Sequence, residues 1–127
     1  MRVMVIVKED RRSEAGILPD EKFFAAMDKY NADLKKAGVL LSAEGLYPSS
    51  KGRRVQFADA GTRTVTDGPF TEAKELIGGF WLWRVKSLDD ATDWLKGAPF
   101  GPGVEIEIRE VFEQEDFAAV RKAGGMP

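Results

Sequence analysis

Leu76, Ile77, Gly78, Gly79, Phe80, Trp81, Leu82, Trp83, Arg84, Val85 and Lys86 form the stretch whose reading decides the fold. The paired glycines oppose a helix at its start, and the aromatic run that follows favours a strand. Apolar residues stand on both alternating sides of it, Phe80 and Leu82 against Trp81, Trp83 and Val85. That pattern predicts a central strand buried on both faces.

Working outward, Met1 to Lys8 reads as a second strand of the same kind, with Val3, Val5 and Val7 on one side and Met4 and Ile6 on the other. A charged loop follows it. Phe23, Met27, Tyr30, Leu34 and Ala37 recur at spacings of four and three, which predicts a helix from Asp20 to a stop at Gly38. Val39 to Leu46 is a short strand closed by the turn cluster Tyr47, Pro48, Ser49 and Ser50. Arg53 to Ala58 and Thr62 to Thr66 flank Asp59, Ala60 and Gly61 and predict a two-stranded ribbon, with Gly61 at a positive φ. Ser87 opens a helix whose stripe is Leu88, Ala91, Trp94 and Leu95, ended by Gly97 and Pro99. Val104 to Phe112 alternates as a strand, and Glu113 to Ala123 supports a short terminal helix before a fraying end.

With the ribbon set aside, the order is βαββαβ, the split β-α-β plan of ferredoxin-like α+β domains. Two helices cover only one face of its four-stranded sheet. Leaving Met4, Ile6 and two aromatic residues wet on the other would forgo roughly 1.5 to 3 kcal/mol for each large side chain. An apolar face of that extent is uncommon on monomers. The expectation is a homodimer whose sheets pack face to face.

The 127 residues allow one domain, 1–127, with a core over 1–112 and an extension over 113–127. The absence of Cys and His excludes thiol nucleophiles, Cys- or His-ligated zinc, a His-held haem and any imidazole base. Nineteen basic against twenty-one acidic residues give a formal charge of -2, with the signs mixed along the chain, so no nucleic-acid partner is expected. The basic cluster Lys51, Arg53 and Arg54 reads as solvated charge on the ribbon. Met1 to Val7 is too short and wrongly flanked for a signal peptide or membrane span, which points to a cytoplasmic protein without a membrane partner.

The most distinctive motif is Asp67, Gly68, Pro69 and Phe70, followed by Lys74, Glu75, Gly78, Gly79 and Phe80. Asp-Gly-Pro is a strong turn signal, in which Gly68 supplies conformations other residues avoid. Asp67 then either accepts backbone N–H groups of the turn or stands as a carboxylate at a cleft mouth, beside Lys74 or Glu75. This string resembles the signature of the YCII-related family in its DGPF branch. Tyr30 and Leu34 before Gly38, Glu44 to Leu46, Asp89 and Ala91, and Val104 to Glu110 extend the resemblance over most of the chain. It implies a bacterial, dimeric α+β barrel.

Members near the family's namesake have been proposed as enzymes on a helix-borne His and an Asp before a Pro-aromatic pair. Those positions fall on Tyr30 and Ala98 here, so that dyad does not carry over. Two functions remain expected. The first is a small-molecule site between sheet and helices, for binding or for catalysis without a cofactor or metal. Asp67 and Tyr30 are its catalytic candidates; Asp67, Glu44 and Arg109 form its polar lining, and Trp81 stacks on a flat ligand. The ordinary alternatives are core packing for Tyr30, Trp81 and Trp83, and salt bridging for Glu105, Glu107 and Arg109. The second is a regulatory or interaction protein, because the branch resembles partners of extracytoplasmic-function sigma factors; the ribbon and the turn would then dock.

Overall fold

Val3, Val5, Trp81 and Trp83 organise the core, because strand pairing stacks them on one face. In the computed structural model, which describes residues 1–72, 75–122 and 124, β1 (Arg2–Lys8) pairs antiparallel with β5 (Ile77–Arg84), setting Val3 opposite Trp83 and Val5 opposite Trp81. On its other edge β1 pairs with β6 (Ile106–Glu110), with Val5 opposite Ile108. β2 (Leu40–Gly45) completes the sheet beside β5, giving the order β2-β5-β1-β6. This is the ferredoxin-like arrangement, with the β3 (Arg53–Phe57) and β4 (Arg63–Asp67) ribbon inserted as a separate two-stranded sheet.

Two helices close the valine and tryptophan face. α2 (Glu21–Lys36) starts where the Asp20 carboxylate accepts the Phe23 N–H at 2.9 Å and stops before Gly38, whose φ of +76° suits glycine. It delivers Tyr30 and Leu34 to the core. α3 (Leu88–Lys96) is capped by Ser87, which accepts the Asp90 N–H at 3.0 Å, and delivers Ala91, Trp94 and Leu95. Val3, Val5, Leu34 and Trp83 are fully buried, each contributing about 1.5 to 3 kcal/mol relative to exposure. The Trp81 indole N–H donates to Asn31 Oδ1 at 2.8 Å, while that of Trp83 is buried without an acceptor.

Three features differ from the sequence reading. The charged loop after β1 contains a short helix, α1 (Arg11–Glu14), built by reciprocal bonds: Ser13 N–H to the Asp10 carboxylate and Asp10 N–H to the Ser13 hydroxyl. Such local polar bonding leaves no trace in hydrophobic periodicity. β5 is not dry on both faces: Trp81 and Trp83 are buried, whereas Phe80 and Leu82 are half-buried. Both tryptophans therefore turn to the helices, and the uncovered face carries Met4, Ile6, Phe80 and Leu82, with one aromatic residue instead of two. In the ribbon loop Ala60 joins Gly61 at a positive φ, 58° beside 81°.

Every residue of β3 and β4 is exposed. The terminal helix α4 (Gln114–Lys122) buries none of its described residues, and its start is tied to β1 by Arg2, which donates to both Glu113 carboxylate oxygens at 2.7 and 3.1 Å. Among the described residues, neither ribbon nor tail fully buries Met4, Ile6, Phe80 or Leu82 on the open sheet face.

Leu34→Ala is expected to cost roughly 2 to 5 kcal/mol by leaving a cavity under α2, whereas Val55→Ala on the ribbon stays within about 0.5 kcal/mol. Equilibrium urea unfolding of the two variants checks the contrast.

Candidate functional site

The strand that carries Val3, Val5 and Val7 continues in the same phase to Glu9, and there the sheet breaks register. Val7 lies opposite Gly79 and Lys8 opposite Ile77, so Gly78 is left over as a bulge. Beyond it the Glu9 N–H donates to the Leu76 carbonyl at 2.8 Å, and the Gly78 carbonyl accepts the Leu46 N–H at 3.0 Å. A Cβ on Gly78 would fall 2.7 Å from Glu9 Oε1. Glycine at 78 thus makes the space that the Glu9 carboxyl occupies. Gly79 is small for a related reason, since its Cβ would lie 2.8 Å from the Glu44 carbonyl of β2.

The Asp67 to Phe70 turn closes the other side. Gly68 donates its N–H to the Gly52 carbonyl at 3.0 Å, and a Cβ there would sit 1.7 Å from the Ser49 carbonyl. Close backbone approach, not a positive φ, is the reason for this glycine. The peptide bond from Gly68 to Pro69 is cis. Ser49 is the hub: its hydroxyl accepts the Phe70 N–H at 3.0 Å and donates to Glu14 Oε2 at 2.9 Å, while its N–H donates to Glu14 Oε1 at 2.5 Å. α1, the 48–52 turn and Phe70 are held together by one carboxylate and one hydroxyl.

Between these parts lies a cleft of about 410 Å³ whose lining includes Glu9, Tyr47, Lys51, Arg54, Phe70 and Leu76. Glu9 is 7% exposed, and its Oε2 is buried without a hydrogen-bond partner. Burial pushes its pKa above the usual glutamate range; the neighbouring carboxylates Glu14 and Asp10 push the same way, against an opposing hydrogen bond from Ser13. The cations of the cleft do not neutralise it. The Lys51 ammonium stands 4.5 Å from the Tyr47 ring centroid and the Arg54 guanidinium 3.9 Å from that of Phe70. Among the described residues, no ion pair joins either cation to a carboxylate.

The residues singled out from sequence are scattered instead of gathered between sheet and helices. Asp67 ends β4 in solvent, where its carboxylate accepts Arg53 Nε at 3.0 Å in place of the backbone N–H groups of the turn. Tyr30 is buried, its hydroxyl donating to the Trp94 carbonyl at 2.6 Å, and burial pushes its pKa up to about 12, out of range for a base at neutral pH. It borders a second hollow of about 370 Å³ between α2 and α3, with Asp33, Asp90 and Asp93. No group of three acidic residues suited to a metal ion is present among the described residues. Trp81 belongs to the core, 4% exposed. Glu44 and Arg109 share the open sheet face but stand on opposite edge strands, three strand spacings or about 14 Å apart across the sheet and two residues out of line along it. Glu44 accepts from the Ser42 hydroxyl at 3.3 Å. Arg109 donates to Glu107 at 3.0 Å, and Arg109 and Lys8 hold the Glu107 carboxyl below its usual range. Lys74 lies outside the described residues, and Glu75 is exposed.

Sequence reasoning passed over Glu9, Tyr47 and Ser49. One signal was present for Glu9: an acid in phase with three inward valines. The model of the YCII-related domain matches residues 1–115. The chain belongs to the YCII-related family. Within 77 aligned residues it is 32% identical to an uncharacterised protein, R00369, of Rhizobium meliloti strain 1021; that stretch is 61% of this chain and 61% of the relative's length. The solved structure of 5-chloro-2-hydroxyhydroquinone dehydrochlorinase from Burkholderia phenoliruptrix AC1100, in complex with 2,5-dihydroxybenzoquinone, aligns with a TM-score of 0.50 at 17% identity, covering 91% of this chain and 97% of that one. The likeness places this YCII-related chain in the same fold.

A carboxyl whose pKa is higher folded than unfolded binds its proton more tightly in the folded state, so its contribution to stability is complete at low pH and is lost as pH rises through the folded value. Glu9→Gln removes that loss. The variant is expected to match the wild type below about pH 4 and to exceed it by roughly 1 kcal/mol or more near neutrality. Denaturant unfolding of both proteins across the pH range reads the difference.

Proposed function

We propose that this YCII-related protein is a cytoplasmic homodimer that binds a small polar molecule in the Glu9 cleft. The observation that carries the reading is a buried glutamate with an unpartnered oxygen at a hollow that the sequence signature shapes: Phe70 lines it, Gly68 packs on Ser49 of its lining and Gly78 packs on Glu9. Gly68 seats the Ser49 turn, Phe70 forms a wall and Gly78 clears room for a buried carboxyl. A turn needed only for folding gives no reason to bury an acid with an unpartnered oxygen beside it. The bound quinone of the structural neighbour supports the reading, since the same fold there holds a small cyclic molecule. The chemistry the cleft is equipped for is proton transfer at Glu9, which needs no cofactor.

The homodimer draws on the open sheet face. Met4, Ile6, Phe80 and Leu82 form an apolar centre, with Glu44 on one edge strand and Glu107 and Arg109 on the other. A second copy laid on this face removes the centre from water. A second reading, a docking surface for a protein such as an extracytoplasmic-function sigma factor, draws on the ribbon, where Val55, Phe57 and Val65 are exposed.

Two measurements test the proposal. In thermal-shift screening with 2,5-dihydroxybenzoquinone and a panel of small metabolites, a ligand at a hundred times its Kd adds about 2.7 kcal/mol of stability; a panel without any stabilising compound rejects the cleft reading. Light scattering at micromolar concentration is expected to give about twice the 14.1 kDa chain mass, and a stable monomer rejects the face-to-face dimer.

A further inference from the structure

The Glu9 cleft holds charges of both signs that do not meet. On one side is Glu9, 7% exposed, with an unpartnered Oε2 and its carboxyl in the space that Gly78 leaves for it. On the other are the Lys51 ammonium and the Arg54 guanidinium, parked on the rings of Tyr47 and Phe70 instead of reaching the carboxyl. All five groups line the same space of about 410 Å³. Both cations are exposed and sit on long, flexible stems, whereas the carboxyl is buried. A gap maintained between them is a gap for something that satisfies both ends at once.

The chemistry of that occupant follows from the ends. The Glu9 carboxyl takes a hydrogen bond from a donor, or gives a proton to an acceptor when protonated; Lys51 and Arg54 take an anion. A neutral apolar molecule leaves both ends bare. A simple cation suits Glu9 but meets like charge at Lys51 and Arg54. The aromatic walls favour a flat body between the two functional groups. We propose that the ligand of this cleft is a compact planar anion bearing a hydroxyl, its anionic group held by Lys51 and Arg54 and its hydroxyl on the Glu9 carboxyl. The inference rests on the small-molecule reading above and names its ligand class.

The test uses the three hydroxybenzoate isomers, benzoate and phenol as probes, with affinities measured by calorimetry on the full chain. At least one hydroxybenzoate is expected to bind tenfold or more tighter than both benzoate, which lacks the hydroxyl, and phenol, which lacks the carboxylate. Glu9→Gln is expected to lower that affinity at least tenfold without weakening benzoate binding. The pair Lys51→Gln with Arg54→Gln is expected to weaken benzoate and hydroxybenzoate together. Gly78→Ala keeps the carboxyl but displaces it, so it is expected to act like Glu9→Gln; circular dichroism confirms that each variant is folded. Hydroxybenzoate binding that survives Glu9→Gln, or that equals benzoate binding, overturns the inference. So does a wild-type protein that binds none of the hydroxybenzoates, while stabilisation by other panel compounds would then leave the small-molecule reading standing.

Discussion

The Glu9 carboxyl, seated over Gly78 and out of water, is the constraint to which the rest of the site answers. A buried acid with a bare oxygen is destabilising, and an isolated ionised one severely so. The chain keeps it in place by backbone means: the bulge at Gly78, the ladder bond from Glu9 N–H to Leu76, and the Leu46 N–H bond that ties Gly78 to β2. These bonds fix where the carboxyl sits without neutralising it. Glu9 lines the cleft with its Oε2 buried and unpartnered.

The second shaping fact is how apolar residues are shared between the two faces of the sheet. The helices take the heavier face, with Val3, Val5, Trp81 and Trp83 beneath Tyr30, Leu34 and Ala91. The lighter face keeps Met4, Ile6, Phe80 and Leu82 half-buried among charged strand ends. The core is therefore complete within one chain, and what remains is a half-buried apolar surface on the open face. The Glu9 cleft lies at the sheet end beside the ribbon base, built from one chain's own residues.

Much of the fold was legible because periodicity reports it. The odd valines of β1, the Phe23 to Ala37 stripe and the Ser87 cap mark three elements within a residue or two of where they stand. The family signature was equally plain. The site was less so, for physical reasons. α1 forms through local polar bonds that hydrophobic spacing does not record. Gly68 and Gly78 matter for what lies against them, Ser49 and Glu9, and those contacts join positions 19 and 69 residues apart. Asp67 drew attention as the charged member of the motif, yet its partner is Arg53 across the ribbon. The acid that the motif does shelter lies near the start of the chain, among charges that read as a solvated loop.

The central claim is that Glu9 is an unpaired carboxyl held away from water, and its own titration tests this most directly. Carbon-13 NMR of the side-chain carboxyls, with Glu9 assigned by comparison with Glu9→Gln, should show a midpoint above the usual glutamate range. A midpoint at or below that range would mean the group is solvated or paired with a cation, and would contradict the account.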